Sequence, residues 1–322
     1  MNPTSDAAGS RGGMLKLPRR RLLSMAPALP LLAHAARSAQ RPPLRAHAPF
    51  TFLFITDTHQ QPELEATHGC RLAYAKARTL RADLVIQGGD HVFDALGVPA
   101  TRATMLMDLY KRTAQDLSLP VHDTIGNHDL FGIYTKSGAR PDDPLYGKKY
   151  FEDAFGSLYR SFDHKGVHFV ILDSIGVTAD RAYEGRIDAV QLAWLKADLA
   201  AQPAGTPIIV VTHIPLVSAI ADYMDPADLP THHALTVANA HEVLPLFDDV
   251  NVIAVLQGHT HVVERVEWHG VPYITGGAVS GNWWHGTRLG TPEGFMVIDV
   301  ADGRVTPRYE TFGFRSVDPK DT

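Results

Sequence analysis

Thiol chemistry is nearly absent from this chain, since Cys70 is the one cysteine in 322 residues. An internal disulfide is therefore impossible, and no Cys-x-x-Cys pair exists to bind zinc or to cycle between redox states. Net charge is also scarce. A formal charge of -5 over 322 residues lacks the basic excess that a dedicated nucleic-acid binder needs for its phosphate contacts, so no nucleic acid is expected as a partner. Long hydrophobic runs are missing as well. The apolar stretch from Met25 to Ala36 falls short of the ~20 residues that cross a bilayer, and no permanent membrane span is expected. There is no internal repeat and no low-complexity tract. What remains is an ordinary folded composition, 45% hydrophobic and sufficient for a buried core, with a surplus of 17 histidines.

Residues 1–48 differ from the rest. Arg19-Arg20-Arg21-Leu22-Leu23 precedes the apolar stretch, and Ala33-x-Ala35 and Ala46-x-Ala48 offer small-residue cleavage points. Basic, then apolar, then small is the order of a twin-arginine export signal with its linker. The export machinery is then an expected partner, and the periplasm or the exterior the expected address. The rival reading is a basic, disordered N-terminus. A lone cysteine needs no oxidative pairing and does not contradict the exported address.

From residue 49 to 322 a single domain is expected, because apolar strand-like runs alternate with stretches of helical spacing throughout. Thr51 to Asp57 reads as a first strand, followed by a helix over Leu64 to Leu80. Asp83 to Asp90 reads as a second, with a helix over Thr101 to Leu117, and Pro120 to Ile125 as a third. These are the marks of an α/β chain with βαβ crossovers. Tyr159 to Asp173 predicts a hairpin turning at Asp163-His-Lys-Gly166, and Asp188 opens a helix that buries Leu192, Leu195 and Leu199. Pro207 to Thr212 and Asn251 to Gln257 are two further apolar strands. From Val262 the alternation has period two, with turns at His269-Gly270 and Ala301-Asp-Gly303, which predicts antiparallel strands.

Five short blocks stand where these strands end: Asp57-x-His59, Gly89-Asp90, Gly126-Asn127-His128-Asp129, His213 and Gly258-His259-x-His261. Open α/β sheets gather ligands at the carboxyl ends of their strands, so distant blocks can share one crevice. Two acids, one amide and four imidazoles suffice for two adjacent divalent metals with one carboxylate shared, an arrangement suited to in-line phosphoryl transfer. In an extended segment residues i and i+2 point to the same side, which would pair Asp57 with His59. Taken singly, each block is an ordinary turn cap, since Asp and Asn favour turns on local grounds. Caps, however, do not require four histidines after apolar strands.

In these five ordered motifs the chain resembles the calcineurin-like metallophosphoesterases over essentially all of residues 49–322. The resemblance implies a four-layer α/β/β/α sandwich of two mixed sheets with a dimetal site at strand C-terminal ends. It further implies that Asp57, His59 and His261 hold one ion, that Asn127, His213 and His259 hold the other, and that Asp90 bridges them. Ligation by imidazole and carboxylate without thiolate suits iron, manganese or zinc. A metal-bound hydroxide would attack a small-molecule phosphoester. His128 is similar to the family's catalytic histidine, and Asp129 is placed beside it to orient its ring.

Departures narrow the expectation. Phe93 stands where purple acid phosphatases carry a Tyr, so a purple enzyme is not expected, and a phosphodiesterase related to the cyclic-nucleotide branch is the leading reading. A broad phosphomonoesterase and a non-catalytic metal-binding or scaffold module are the alternatives. His91 reads as a packed or surface histidine, with a contact to the site as the rival reading. Trp283 and Trp284 read as sheet-edge packing or as a stacking surface for a base or aryl group. His232 and His233 read as surface residues near the entrance.

Overall fold

Alternation decides the surroundings of β1 (Phe50–Ile55). Phe50, Phe52 and Phe54 pack to one side, and Leu53 and Ile55 to the other, as a strand's period of two requires. Because both sets are apolar, the strand has to be covered twice. Helix α1 (Ala66–Arg78) covers one side with Cys70, Ala73, Tyr74 and Ala77, and a second sheet covers the other. The structure, a computed structural model, describes residues 41–220, 223 and 234–322. The arginine block, its apolar stretch, and His232 and His233 lie outside the described residues.

The first sheet runs β13 (Arg304–Thr311), β12 (Gly294–Ala301), β1, β2 (Val85–Gln87) and β3 (Val121–Asp123). The strands β1, β2 and β3 are parallel, while β12 pairs antiparallel with β1. The second sheet runs β10 (Glu264–Trp268), β11 (Val271–Thr275), β9 (Asn251–Gln257), β8 (Pro207–Val211), β5 (Val167–Ile171) and β4 (Arg160–His164). A separate hairpin joins β6 (Ile175–Val177) to β7 (Tyr183–Gly185).

Phe52, Phe54, Phe169, Ile171, Ile209, Val211, Leu256 and Ile298 fill the space between the sheets. Each such side chain contributes about 1.5–3 kcal/mol through its burial. The outer face of the second sheet carries Val170, Ile208 and Val210 against Leu195 and Leu199 of α4 (Ala189–Ala201). Asp188 caps α4 by accepting from the Gln191 backbone N–H at 2.8 Å, the local reason for its start there. Helix, sheet, sheet and helix thus form the four layers expected from the sequence. Helix α2 (Ala100–Ala114) packs Leu106, Met107 and Tyr110 against Val92, Phe131 and Tyr150, the last of these from α3 (Lys149–Phe155).

Two features differ from the sequence reading. Residues 41–48, assigned there to signal and linker, run along the folded unit. The Arg45 N–H bonds to the Gly205 carbonyl at 2.8 Å, and the Asn251 amide donates to the Pro42 carbonyl at 2.9 Å. The C-terminal strands also divide between the sheets. Strand β11 joins β9 in parallel, whereas β12 crosses to β1. Period-two alternation predicts strands but carries no information on which sheet receives them.

Candidate metal centre

The parallel strands deliver all five motifs to one end of the sandwich. Asp57 follows β1, Asp90 follows β2, Asn127 follows β3, His213 follows β8, and His259 and His261 follow β9. Asp57 and His59 do not lie in extended backbone as the i, i+2 argument supposed. Asp57, His59, Asp90, His259 and His261 have positive φ values of 55°, 39°, 56°, 76° and 63°. Left-handed backbone costs a non-glycine residue about 1–2 kcal/mol, and such strain concentrates at functional sites. It also explains the geometry, because a strand that coils tightly at its end turns successive side chains toward one point. The close approach of these turns leaves no space for side chains between them. A methyl at Gly126 would lie 2.2 Å from the Asp90 backbone nitrogen, and one at Gly258 would lie 2.4 Å from Thr56 Oγ1.

Three overlapping groups of donors result, two of them matching the expected ligand sets and a third that brings His128 beside His59 and Asp90. In the first, His261 Nε2 lies 3.0 Å from His59 Nε2 and 3.2 Å from Asp57 Oδ1, and His59 Nε2 lies 3.9 Å from Asp57 Oδ1. In the second, His213 Nε2 lies 3.2 Å from Asp90 Oδ2 and 3.1 Å from Asn127 Oδ1, and His259 joins Asp90 and His213. Asp90 Oδ2 is also 3.6 Å from His59 Nε2, so this one oxygen faces both groups. Donor atoms about 2.0–2.2 Å from a common ion sit roughly 3–3.5 Å from one another, and these separations match.

The hydrogen bonds set the tautomers. The Gly88 carbonyl accepts from His213 Nδ1 at 2.8 Å, the Gly281 carbonyl from His261 Nδ1 at 2.5 Å, and the Ala234 carbonyl from His259 Nε2 at 2.7 Å. Each carbonyl fixes a proton on the ring nitrogen it faces and turns the other nitrogen toward the donor group, where the neutral ring would offer a lone pair, the usual preparation of a metal-binding histidine. The His261 lone pair faces His59 Nε2 at 3.0 Å, and His59 Nδ1 is buried without a partner, so either one proton on Nε2 or a shared cation fills the space between the two rings. The buried Asn127 Nδ2 has no partner, consistent with an amide whose oxygen is the functional end. These residues fit two metal ions.

Electrostatics agree. Burial works against the charge on Asp57, yet His261 and then His213 hold its carboxyl well below the usual range. Burial, with His213 beside it, lowers His259 to about 4, so that ring is neutral. Burial also opposes a charge on His213, but Asp90 and then Asp57 push it up to about 9. Only the neutral ring binds a metal, so below pH 9 an ion has to displace this proton. Metal binding to the metal-free protein at pH 7 is expected to release protons and to tighten as pH rises toward 9. Calorimetry in two buffers of different ionisation enthalpy measures the release. Binding without release would remove His213 from the ligand set.

His128 and Asp129 require a correction. In the 3₁₀ turn Asn127–Asp129, successive side chains diverge by about 120°, because the helix has three residues per turn. Asp129 therefore turns away from His128. Its carboxylate accepts from the backbone N–H groups of Asp90, His91 and Gly126 at 3.0, 2.9 and 2.9 Å, and pairs with His91 Nδ1 at 2.8 Å. The carboxylate facing His128 is Asp94, whose Oδ1 lies 3.5 Å from His128 Nδ1. Nothing in the sequence spacing pointed to Asp94. His128 is fixed from its other side, where its backbone N–H donates to Asp90 Oδ1 at 2.8 Å. Burial lowers its affinity for a proton, but Asp90 and Asp94 raise it above the usual range.

His91 is a packed histidine. It is fully buried between Asp129 and Asp123, whose Oδ1 is 3.1 Å from Nε2, and it stacks on Phe155 at 4.5 Å. Burial opposes its charge, but Asp129 and Asp123 push its pKa up to about 9. The two tryptophans separate. Trp284 is buried against α1, and its indole N–H donates to the Thr58 and His59 carbonyls at 3.2 and 3.1 Å. Trp283 instead lies at the rim, with its ring centroid 4.6 Å from that of His261.

The sequence profile of the calcineurin-like phosphoesterases matches residues 50–263. Among curated protein sequences none matches. Solved structures of similar fold include a dimetal phosphatase from Danio rerio, with a TM-score of 0.55 and 17% identity over 83% of this chain and 100% of that one. A purple acid phosphatase from yellow lupin has a TM-score of 0.53 and 13% identity over 85% of this chain. This chain spans 53% of the lupin protein's length.

Proposed function

Since this chain belongs to the calcineurin-like phosphoesterase family and is a phosphoester hydrolase, we propose that it cleaves phosphodiesters at two metal ions held by the seven residues above. Asp57, His59 and His261 would hold one ion, and Asn127, His213 and His259 the other. The observation that carries this reading is the placement of Asp90, whose Oδ2 faces His59 at 3.6 Å and His213 at 3.2 Å. The ions would be iron, manganese or zinc, given nitrogen and oxygen donors without thiolate. Two such ions polarise phosphoryl oxygens and lower the pKa of bound water.

The chain's own side chains supply the rest. Only two of the seven donors are carboxylates, which leaves a doubly loaded pocket positive and attractive to an anionic ester. His128 turns Nδ1 to Asp94 and keeps Nε2 as the nitrogen that hands a proton to the leaving oxygen. Phe93 stacks on His128 at 5.9 Å with 19° between the rings, and stands edge-on to His59. An apolar wall in that position suits the second organic group of a diester. The phenol that purple monoesterases carry there is absent.

The test uses metal-loaded protein with bis(4-nitrophenyl) phosphate and 4-nitrophenyl phosphate. A higher kcat/KM is expected on the diester. The opposite order would assign a monoesterase, and inactivity on both would leave the seven residues as a binding module.

A further inference from the structure

Among the described residues Arg288 is a cation with no anionic partner. It sits in a tight turn closed by two Arg288–Thr291 backbone hydrogen bonds of 2.8 Å. Thr291 Oγ1 in turn accepts from the Val263 N–H at 3.2 Å, which ties the turn to the segment that carries His259 and His261. The guanidinium carbon lies 5.3 Å from the centre of the Trp283 ring, and Trp283 packs on His261 at 4.6 Å. One indole thus separates the cation from a candidate metal ligand.

Among the described residues no carboxylate and no carbonyl oxygen meets the Arg288 side chain, and its Nε is buried without a partner. Burial lowers the guanidinium's pKa somewhat, yet a group with so high a starting value stays charged. A partly desolvated cation lacking a counter-ion is unfavourable, so proteins retain one mainly where an anion arrives. The same contacts give Trp283 a role within the site wall. His261 and Arg288 both lie against its ring, so the indole serves as a prop that stiffens the guanidinium.

We propose that Arg288, held against Trp283, binds a second oxyanion of the substrate, a phosphate or carboxylate on a group flanking the scissile ester. The inference rests on the hydrolase reading above and narrows its substrates to phosphoesters that carry such a group. Its planar fork of donors suits two oxygens of one anionic group.

Turnover of 4-nitrophenyl phenyl phosphate and of 4-nitrophenyl 4-carboxyphenyl phosphate by wild type, Arg288→Ala and Arg288→Lys tests this, with the matching monoesters in parallel. A ring phosphate in place of the carboxylate distinguishes the two oxyanions. Arg288→Ala is expected to leave kcat/KM on the uncharged ring within about twofold. On the charged ring it should fall about tenfold or more through KM, since a hydrogen bond to a charged group is stronger than one between neutral groups. Arg288→Lys should recover part of the loss. Equal losses on both rings, or no loss on either, would overturn the proposal.

A binding readout keeps it separate from the hydrolase reading. Pyrophosphate is expected to bind wild type more tightly than Arg288→Ala, with inorganic phosphate showing the smaller difference, as read by tryptophan fluorescence with Trp283→Phe as the control. That preference persisting in a protein without turnover would sink the hydrolase reading alone. Its absence in an active enzyme would sink the role of Arg288 alone.

Discussion

Asp90→Ala is expected to lower kcat by about 10³-fold or more and to reduce bound metal from two ions per chain to one or fewer. The magnitude follows from the loss of Lewis-acid stabilisation, which is several kcal/mol at about 1.4 kcal/mol per decade of rate. The breadth of the effect follows from geometry. Asp90 Oδ2 faces both donor groups, while Oδ1 accepts the His128 N–H at 2.8 Å. One substitution therefore disturbs both ions and the segment that carries the acid. Elemental analysis of the purified variant beside its kcat is the measurement. Two ions retained with ordinary turnover would show that Asp90 is not shared between them.

His128→Ala should separate chemistry from metal binding. Turnover is expected to fall by about 10²-fold, at the lower end of what a positioned acid contributes, with both ions retained. The ions are expected to stay because the ligand Asn127 is placed by its own backbone, and the neighbouring turn is held by Asp129 rather than by the His128 ring. Asp94→Asn should give a smaller loss in the same direction, since Asp94 faces Nδ1 and acts only through the ring. Undiminished kcat in His128→Ala would remove this histidine from the mechanism. Loss of metal in the same variant would make it a ligand.

The strands, the hairpin turning near Gly166, the cap at Asp188 and the gathering of five motifs at strand ends were all legible in the sequence. Each of these depends on periodicity or on the local preference of one residue. The errors fell where the path of the backbone decides. Asp129 follows His128 directly, yet a 3₁₀ turn sends it to the Asp90 and Gly126 amides and to His91. Asp94 stands only four residues after Asp90, but the segment has no helical or strand periodicity to give that spacing meaning, and only folding brings it to His128. His91 looked like a surplus histidine, and its two aspartate partners come from β3 and from the turn after it. Arg288 could not be distinguished from any surface arginine until the contacts around it showed that none neutralises it.

The crowding at Gly126 and Gly258, together with three imidazoles locked by backbone carbonyls, makes the seven donors a rigid mould. The turns at Gly126 and Gly258 are packed too closely to admit a side chain between them. Redesign of metal preference in this scaffold would therefore start from the chemistry of a donor, for instance the amide at Asn127, rather than from larger side chains at the glycines between the turns.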